Sequence, residues 1–544
     1  MDAKKDFRFW MLFVSLCVVC FLSALDFIAI GNALPSIIND LNAGSDSSQG
    51  EEFAWIGTAY TLSSTAFLPL SSCVAEAFGR RVAVVLFLAI FSVGSALCGA
   101  AQTMNWLIAA RAVQGIGGGA LHSLATVVIA DLIPLVERGT YNSFVGMTWA
   151  LAVAIGPLIG GSLANESGMW RWLFYLNLPI CALALVLVFI FLDLPTPSGT
   201  VRDKFSKMDW IGNLIIAASS TTLVIGLSWG GVRYPWGSYQ VLVPLVCGAV
   251  GMIAFTLYEA FIAKYPISVS SFLCSTIGVS VADVHLDFVP VYYQACMDAS
   301  PIRSGVMFLG CTTLVGSFIV FGGMSVTALK RYRPQIWISW CMTIIGVGFA
   351  TTLDENSPLA KAIGYFSIGS TGVGALFALL YFPVLSPLPV ERNAQALALF
   401  AFLRTFAQVW GVTIGSTILV NCLKSRLPSG LAPYAQGDIG ALVYSLVPQV
   451  RSLPQPLKDE TRAAFSESFR AVWIAIVAVF GVGFLMSFFM ADVPLHNYTD
   501  DKWNRKVVVA TVEVEHDDEE WKVERSEKPL EAHARNKALT KKNG

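Results

Sequence analysis

Long apolar segments recur along most of this chain, and they constrain its fold more than any other feature. A helix rises about 1.5 Å per residue, so about 20 apolar residues cross the hydrocarbon core of a bilayer. Only 13% of the 544 residues are charged, about half the share in soluble domains. The sequence therefore predicts an all-α polytopic membrane protein. Fourteen segments are long enough to span, at residues 10–33, 52–73, 82–101, 105–130, 139–163, 172–192, 210–229, 240–262, 269–294, 303–329, 335–353, 361–385, 393–421 and 470–491.

The loops between these segments predict the orientation. The short loops on one side carry eleven Lys and Arg residues, against four on the other. Such residues concentrate on the cytoplasmic side of membrane proteins. Because the number of spans is even, both termini are predicted to be cytoplasmic. The first segment, Trp10 to Ala33, is longer than the apolar part of a signal peptide and is predicted to be a permanent span.

The spans and loops also predict how the chain is divided. Two six-helix bundles are separated by two additional helices, and a charged tail follows the second bundle. The predicted units are a cytosolic N-terminal tail at 1–9, a first bundle at 10–192, a cytosolic loop with two extra helices at 193–268, a second bundle at 269–491 that contains a long outer loop at 422–469, and a cytosolic tail at 492–544.

An internal repeat relates the two bundles. The sequence Val-Glu-Arg occurs at 136–138 and again at 390–392, which is a shift of 254 positions. A basic pair occurs at 80–81 and again at 330–331, which is a shift of 250 positions. Repeated halves are typical of transporters that open alternately to each side of the membrane around a central site. The repeat therefore favours a transporter over a channel.

Composition and motifs exclude several other functions. A net charge of −1 leaves no basic surplus for a nucleic-acid partner. No GxxxxGK[ST] sequence is present, so ATP is not the expected energy source. We expect no enzymatic activity, no metal site and no cofactor, and we expect a monomer whose partners are a small-molecule substrate, protons and the lipid bilayer. Whether Cys296 and Cys422 form a disulfide is left open, since sequence does not fix their distance.

Charged residues inside spans are costly and point to functional sites. Asp26 and Arg111 lie at similar depths, about 13 and 10 Å from the outer ends of their helices. They are interpreted either as a proton-exchanging carboxylate beside a cation or as a fixed ion pair that joins two helices. Arg404 lies near the middle of its span, where it either faces a cavity and attracts anionic or polar ligand groups or bonds a helix-end carbonyl. His122 is predicted to be a helix contact.

The ninth span carries three ionisable residues in the sequence ADVHLDF. Asp283 and Asp287 are one turn apart on one face, and His285 points away from them. Two carboxylates this close share a proton readily, so we predict a proton or cation site here. The alternative is that the end of this helix is exposed to water. A metal site is disfavoured because the histidine does not face the carboxylates.

Glycine and proline interrupt the fifth span. Pro157 has no N–H and displaces the carbonyl of Val153, which predicts a bend. Gly156, Gly160 and Gly161 allow a neighbouring backbone to approach closely. We therefore predict a bend and a close helix seam at the same place.

Several motifs resemble the major facilitator superfamily, in particular its fourteen-span branch of drug:proton antiporters. The resemblance covers about residues 8–492. Its motifs are the antiporter motif of helix 5 in ALAVAIGPLIGG (150–161), the helix 4 motif in LIAARAVQGIGGGA (107–120), the start of helix 6 in WRWLFYLNLP (170–179) and the start of the first extra helix in MDWIG (208–212).

The resemblance also marks a cytoplasmic gate between helices 2 and 3, in the sequence SSCVAEAFGRR (71–81). Its predicted residues are Glu76, Gly79, Arg80 and Arg81, and Glu76 stands where the family has Asp. In helix 1, Ile28 replaces the threonine that the family prefers, which predicts an altered substrate contact.

The resemblance implies export of small amphipathic organic molecules, such as drugs, toxins or secondary metabolites, in exchange for protons. It also implies the plasma membrane, with the vacuolar membrane left open. The alternatives are a proton-coupled importer of a metal-chelate or a basic metabolite, and a sensor with the same fold that does not transport.

Overall fold

The protein is all-helical in the part of the chain that the structure describes. This computed structural model describes residues 7–41, 52–163, 168–196, 200–206, 208–230, 234–261, 284–428, 431, 446–447, 450–490 and 492–497. The helices up to residue 261 are α1 (Phe7–Leu41), α2 (Glu52–Phe78), α3 (Arg80–Gly99), α4 (Met104–Leu132), α5 (Leu135–Leu163), α6 (Arg171–Tyr175), α7 (Asn177–Phe191), α8 (Val201–Ser206), α9 (Trp210–Trp229) and α10 (Tyr239–Phe261). Those after it are α11 (Val284–Cys296), α12 (Pro301–Leu329), α13 (Arg333–Ala350), α14 (Leu359–Leu379), α15 (Phe382–Leu385), α16 (Asn393–Arg426) and α17 (Leu457–Ser487), with 3₁₀ turns at Val390–Arg392 and Val450–Ser452.

Among the described residues, ten helical segments are long and apolar enough to cross a membrane. Their outward faces carry large apolar side chains, such as Phe189, which is 66% exposed, and Leu214, which is 70% exposed. Apolar surface of this extent is stable only against lipid. The chain is therefore an integral membrane protein, while the count of fourteen spans stays a prediction.

The two halves repeat the same helix packing. In the first half α4 packs against both α2 and α3, and in the second half α14 packs against both α12 and α13. Glycines mark equivalent contacts: Gly94 of α3 lies against the backbone of Gln114, and Gly346 of α13 lies against the backbone of Gly369. Small residues let neighbouring helices approach this closely in a membrane.

The halves join along two seams. One seam pairs α5 with α12, and the other pairs α2 with α16. Because α2 is the repeat equivalent of α12, and α5 that of α16, the two seams correspond to each other. Helices α9 and α10 pack together, and α9 also touches α2 and α16, where Leu68, Ile216 and Phe402 form one buried cluster. We call the end of the molecule at which Arg80, Arg138 and Lys330 lie the basic face.

The helix ends near residues 422–469 differ from the expected ones. Helix α16 continues to Arg426, and α17 begins at Leu457 rather than near residue 470. The first turns of α17 bury Thr461, Ala464 and Phe465 at helical spacing, with Asp459 and Glu460 at the N-terminus, where acidic side chains stabilise the helix dipole. A search for uninterrupted apolar residues does not detect this amphipathic start.

Candidate functional site

Asp26 and Arg111 form a buried ion pair between α1 and α4. The Arg111 Nη1 atom lies 2.6 Å from Asp26 Oδ2, and the two side chains are 1% and 2% exposed. The structure thus places Asp26 and Arg111 at the same level of the helix bundle, as the sequence predicts. A pair this deeply buried is maintained only when its remaining polar atoms are also bonded.

Neutral polar residues complete the bonding of this pair. The Asp26 Oδ1 atom accepts hydrogen bonds from Gln114 Nε2 at 2.8 Å and from Asn177 Nδ2 at 2.7 Å. Both amides also donate to Ser95 Oγ, and Arg111 donates to Gln114 Oε1. We call Asp26, Ser95, Arg111, Gln114 and Asn177 the buried polar network. It ties α1, α3, α4 and α7 together: the Asp26 carboxylate of α1 bonds residues of α4 and α7, and Ser95 of α3 bonds the two amides.

Tyr60 separates the buried polar network from the centre of the molecule. Its ring lies 4.3 Å from the Arg111 guanidinium carbon, a cation–π contact. Its hydroxyl lies 3.3 Å from Ser23 Oγ, and Ser23 donates its own proton to the Gly118 carbonyl. The Tyr60 hydroxyl therefore donates to Ser23 Oγ. Because the Tyr60 ring contacts the Arg111 guanidinium, a movement of Arg111 would displace Tyr60.

A central cavity of about 160 Å³ lies on the other side of Tyr60. Both halves contribute to its wall, through α1, α2, α4 and α5 from the first half and α14 and α16 from the second. Besides the His122 imidazole, the described part of its lining includes six aromatic rings, namely those of Phe27, Tyr60, Trp149, Phe377, Tyr381 and Phe400. Its polar lining includes Ser23, Thr61, Ser64, His122, Thr126, Asn142, Arg404, Thr405 and Gln408.

Among the described residues, two with basic side chains face this cavity. Arg404 lies in its wall, with its guanidinium carbon 3.5 Å from the centre of the Phe377 ring. His122 also lines the cavity and stands edge-on to Trp149, with 6.3 Å between the ring centres. The predicted helix contact of His122 is observed at Trp149 of α5, and His122 in addition lines the cavity.

The cavity is closed toward the basic face by contacts between the halves. Thr140 donates to Thr327 at 3.2 Å, and Ser143 donates to the Ile319 carbonyl at 2.9 Å. Gly139 lies against the Gly323 backbone in the same seam. Along the equivalent seam, Gln395 donates to Glu76 Oε2 at 3.1 Å.

The predicted gate residues have different partners. Glu76 takes part in the contact between halves, whereas Arg80 pairs with Asp131 of its own half at 2.8 Å, with side chains 1% and 4% exposed. Arg81 donates to the Phe189 carbonyl near the end of α7. Gly79 has a φ of 96°, which disfavours any side chain. The geometry thus brings Glu76 to the seam and places Arg80 and Arg81 within the first half.

The glycines of the antiporter motif pack against α1. A side chain at Gly156 would meet Ile28 Cγ2 at 2.9 Å, and one at Gly160 would overlap the Ala29 carbonyl. The predicted close seam is therefore observed at these two positions. Helix α5 continues past Pro157 to Leu163, while the surroundings of Pro157 and Gly161 lie outside the description. Ile28 contacts Gly156 rather than the cavity lining.

The predicted cluster on the ninth span falls largely outside the described residues. Asp283 precedes the described part of α11, and only the backbone is described for His285 and Asp287. The proton or cation site at these residues stays a prediction.

The cysteines form no disulfide among the described residues. Cys296 and Cys422 are free, as are Cys17 and Cys20, a Cys-x-x-Cys pair in α1. No group of three or more His, Cys, Asp and Glu residues that would suit a metal ion occurs in the described ranges.

Sequence reasoning missed most of the buried polar network and the cavity wall. Ser95, Gln114, Asn177 and Tyr60 are uncharged, so a search for ionisable residues inside the spans does not mark them. One signal was available for Gln114, which follows Arg111 by three positions and therefore shares its helix face.

The fold and the cavity define a polytopic helical protein of two repeated halves around a central binding site. The chain belongs to the Major Facilitator Superfamily, whose family model matches residues 16–412.

Comparisons with individual proteins agree with this family. The chain is similar to Efflux pump FUS6 of Gibberella moniliformis, with 34% identity over 93% of this chain and 92% of the relative. It is also similar to MFS-type efflux pump LUC4 of a Fusarium species, with 33% identity over 91% of this chain and 89% of the relative. The crystal structure of the human organic anion transporter MFSD10 (TETRAN) shares the fold, with a TM-score of 0.54, 14% identity and coverage of 89% of this chain and 100% of that one.

Proposed function

We propose that this protein is a secondary transporter that exports small amphipathic organic molecules in exchange for protons. The observation that carries the proposal is the central cavity, which is walled by both halves and closed toward the basic face. The names of the similar fungal proteins, both efflux pumps, support export as the direction.

The two seams support alternating access. They are related by the internal repeat, so a rocking motion of one half on the other opens one face as it closes the opposite one. Near the basic face the seams are held by neutral or singly charged hydrogen bonds, such as those of Thr140 and Gln395. Each such bond contributes about 0.5–3 kcal/mol, which is small enough to be exchanged for substrate contacts.

The buried polar network supports proton coupling. Protonation of Asp26 would remove the negative charge that Arg111 now neutralises. The guanidinium would then be a buried charge without its counter-ion, which favours its movement to another partner. Arg111 lies under the Tyr60 ring, and Tyr60 is part of the cavity wall. Protonation of Asp26 would in this way change the shape of the substrate site. The close packing of Gly156 and Gly160 of α5 against α1 fixes the position of Asp26 relative to the cavity wall. We propose that Pro157 and Gly161 belong to the same helix contact.

We also propose the setting in which the protein acts. The basic face is cytoplasmic, both termini lie on that side, and fourteen spans cross the plasma membrane. The proposed unit is a monomer, in which both halves contribute to the described cavity wall, and the energy comes from the proton gradient without a cofactor or catalysis.

Transport by the purified protein tests the proposal. Untargeted comparison of metabolites in cells with and without the protein would nominate substrates, which are then added to proteoliposomes with an imposed pH gradient. Antiport predicts that the substrate accumulates in the acidic compartment and that dissipating the gradient abolishes this. Accumulation in the direction of proton flow would identify an importer, and binding without flux would identify a sensor.

A further inference from the structure

We propose that Tyr381 and Asn142 form a subsite that binds a hydroxyl group of the substrate, at the end of the central cavity nearest the basic face. This inference deepens the proposed function and rests on it, because it takes the cavity as the substrate site. It gives the two residues a role in specificity: they select molecules that carry an alcohol or phenol group at one end of an apolar body.

The subsite lies next to the seam that closes the cavity. Asn142 lines the cavity one turn along α5 from Arg138, which marks the basic face. Tyr381 lines it from the second half, and the ring of the next residue, Phe382, lies against Gly139 in the seam between the halves. A ligand group bound between Asn142 and Tyr381 therefore contacts both halves at the place where they are joined.

The side chains of Tyr381 and Asn142 have hydrogen-bonding capacity that the described residues do not use. Tyr381 is 5% exposed, and its hydroxyl lies next to the Asn142 side chain. Neither Tyr381 Oη nor Asn142 Oδ1, however, meets hydrogen-bond geometry with any described group. A buried polar group without a partner is costly, and most such groups in folded proteins are paired. A ligand that supplies the partner removes this cost.

Together the two groups favour a hydroxyl as the ligand group. Asn142 Oδ1 is an acceptor, and the Tyr381 hydroxyl both donates and accepts. An alcohol or phenol can donate to Asn142 and accept from Tyr381 through a single atom, which suits two protein groups that lie side by side. A carboxylate or an ether only accepts, so it leaves Asn142 Oδ1 unpaired. An ammonium only donates, so it leaves the Tyr381 proton without an acceptor.

The same face of α5 accommodates an apolar body. Val145, Gly146 and Trp149 line the cavity together with Asn142, at the spacing of one helix face. Trp149 lies about 10 Å from Asn142 along the helix axis, and its ring centre is 6.4 Å from that of Phe27. The cavity volume of about 160 Å³ is close to that of a cavity that holds benzene, about 150 Å³. The cavity therefore fits a compact aromatic alcohol or phenol whose hydroxyl points to the basic face.

Equilibrium dialysis of the full-length protein in nanodiscs tests this inference without requiring transport. The probes are 2-naphthol and 2-methylnaphthalene, which have nearly the same shape but differ in the hydroxyl, and empty nanodiscs correct for partition into lipid. Tyr381→Phe should lower the ratio of 2-naphthol affinity to 2-methylnaphthalene affinity by about three- to tenfold, as expected for one neutral hydrogen bond. Asn142→Leu should lower the ratio by a similar factor.

Tyr239→Phe is the matched control, because Tyr239 is 74% exposed at the start of α10 and loses the same hydroxyl outside the cavity. It should leave the ratio unchanged, and binding of 2-methylnaphthalene shows that each variant is folded. The inference is overturned if 2-naphthol does not bind, or if either Tyr381→Phe or Asn142→Leu leaves the ratio unchanged. Hydroxyl-selective binding without flux would refute the proposed function alone, and flux with binding that is indifferent to the hydroxyl would refute this inference alone.

Discussion

Loss of the Asp26 charge should destabilise the protein, and loss of the Arg111 charge in addition should restore much of the stability. Asp26 accepts hydrogen bonds from Gln114 and Asn177 and pairs with Arg111 at 2.6 Å, with both charged side chains almost fully buried. Breaking such a pair by removing one partner costs about 3–5 kcal/mol, because the other charge stays buried without compensation. We expect this cost for Asp26→Asn and for Arg111→Gln alone.

The double variant Asp26→Asn/Arg111→Gln should lose less than either single variant, and hence at least about 3 kcal/mol less than the sum of the single losses, since it buries no unpaired charge. The assay is unfolding of the purified protein by SDS in detergent, followed by tryptophan fluorescence. Arg80→Gln combined with Asp26→Asn is the control. Arg80 starts α3, while Ser95 of the buried polar network lies near the other end of this helix of 20 residues, about 30 Å long. The control losses should add within about 0.5 kcal/mol, and additive losses for the Asp26 and Arg111 variants would refute the reasoning.

The same variants separate the two interpretations of this pair. A fixed ion pair predicts that the double variant regains both stability and proton-coupled transport. Our account predicts that it regains stability but not coupling, because no carboxylate remains to exchange a proton. Proton movement driven by substrate in proteoliposomes measures the difference.

Three further variants test the remaining parts. Gly160→Val should destabilise the protein by about 1–3 kcal/mol through overlap with the Ala29 carbonyl, measured by SDS unfolding; Gly481→Val, where no atom lies within 4 Å, is the control, and equal losses would contradict the packing argument. Pro157→Ala should increase proton leak in proteoliposomes while expression stays normal, and misfolding with intact coupling would assign Pro157 to folding alone. Asp287→Asn should shift the pH profile of transport, and an unaltered profile would exclude the ninth span from coupling.

The sequence predicted the features that depend on position along the chain. The rise of a helix places Asp26 and Arg111 at one depth, and the structure pairs them. The Val-Glu-Arg repeat predicted two equivalent halves, which the matching packing of α4 and α14 confirms.

Features that depend on direction around a helix were harder to predict. His122 and Arg404 lie on different halves, and only the assembled bundle shows that both face one cavity. Asn177 and Ser95 carry no charge and lie on helices other than that of Arg111, so the sequence does not connect them with the buried polar network. The start of α17 was missed because its helical period lies in charged sequence rather than in an apolar run.

The most direct test of the account is the distance between the two halves at the basic face during the transport cycle. Spin labels at Val82 and Leu329, which are 47% and 64% exposed and flank equivalent loops of the repeat, can be attached in a cysteine-free background. Double electron–electron resonance then measures their separation across pH values and with substrate. The account predicts two distances whose populations shift with pH and substrate, the longer one marking the open basic face. A single unchanging distance under all conditions would contradict it.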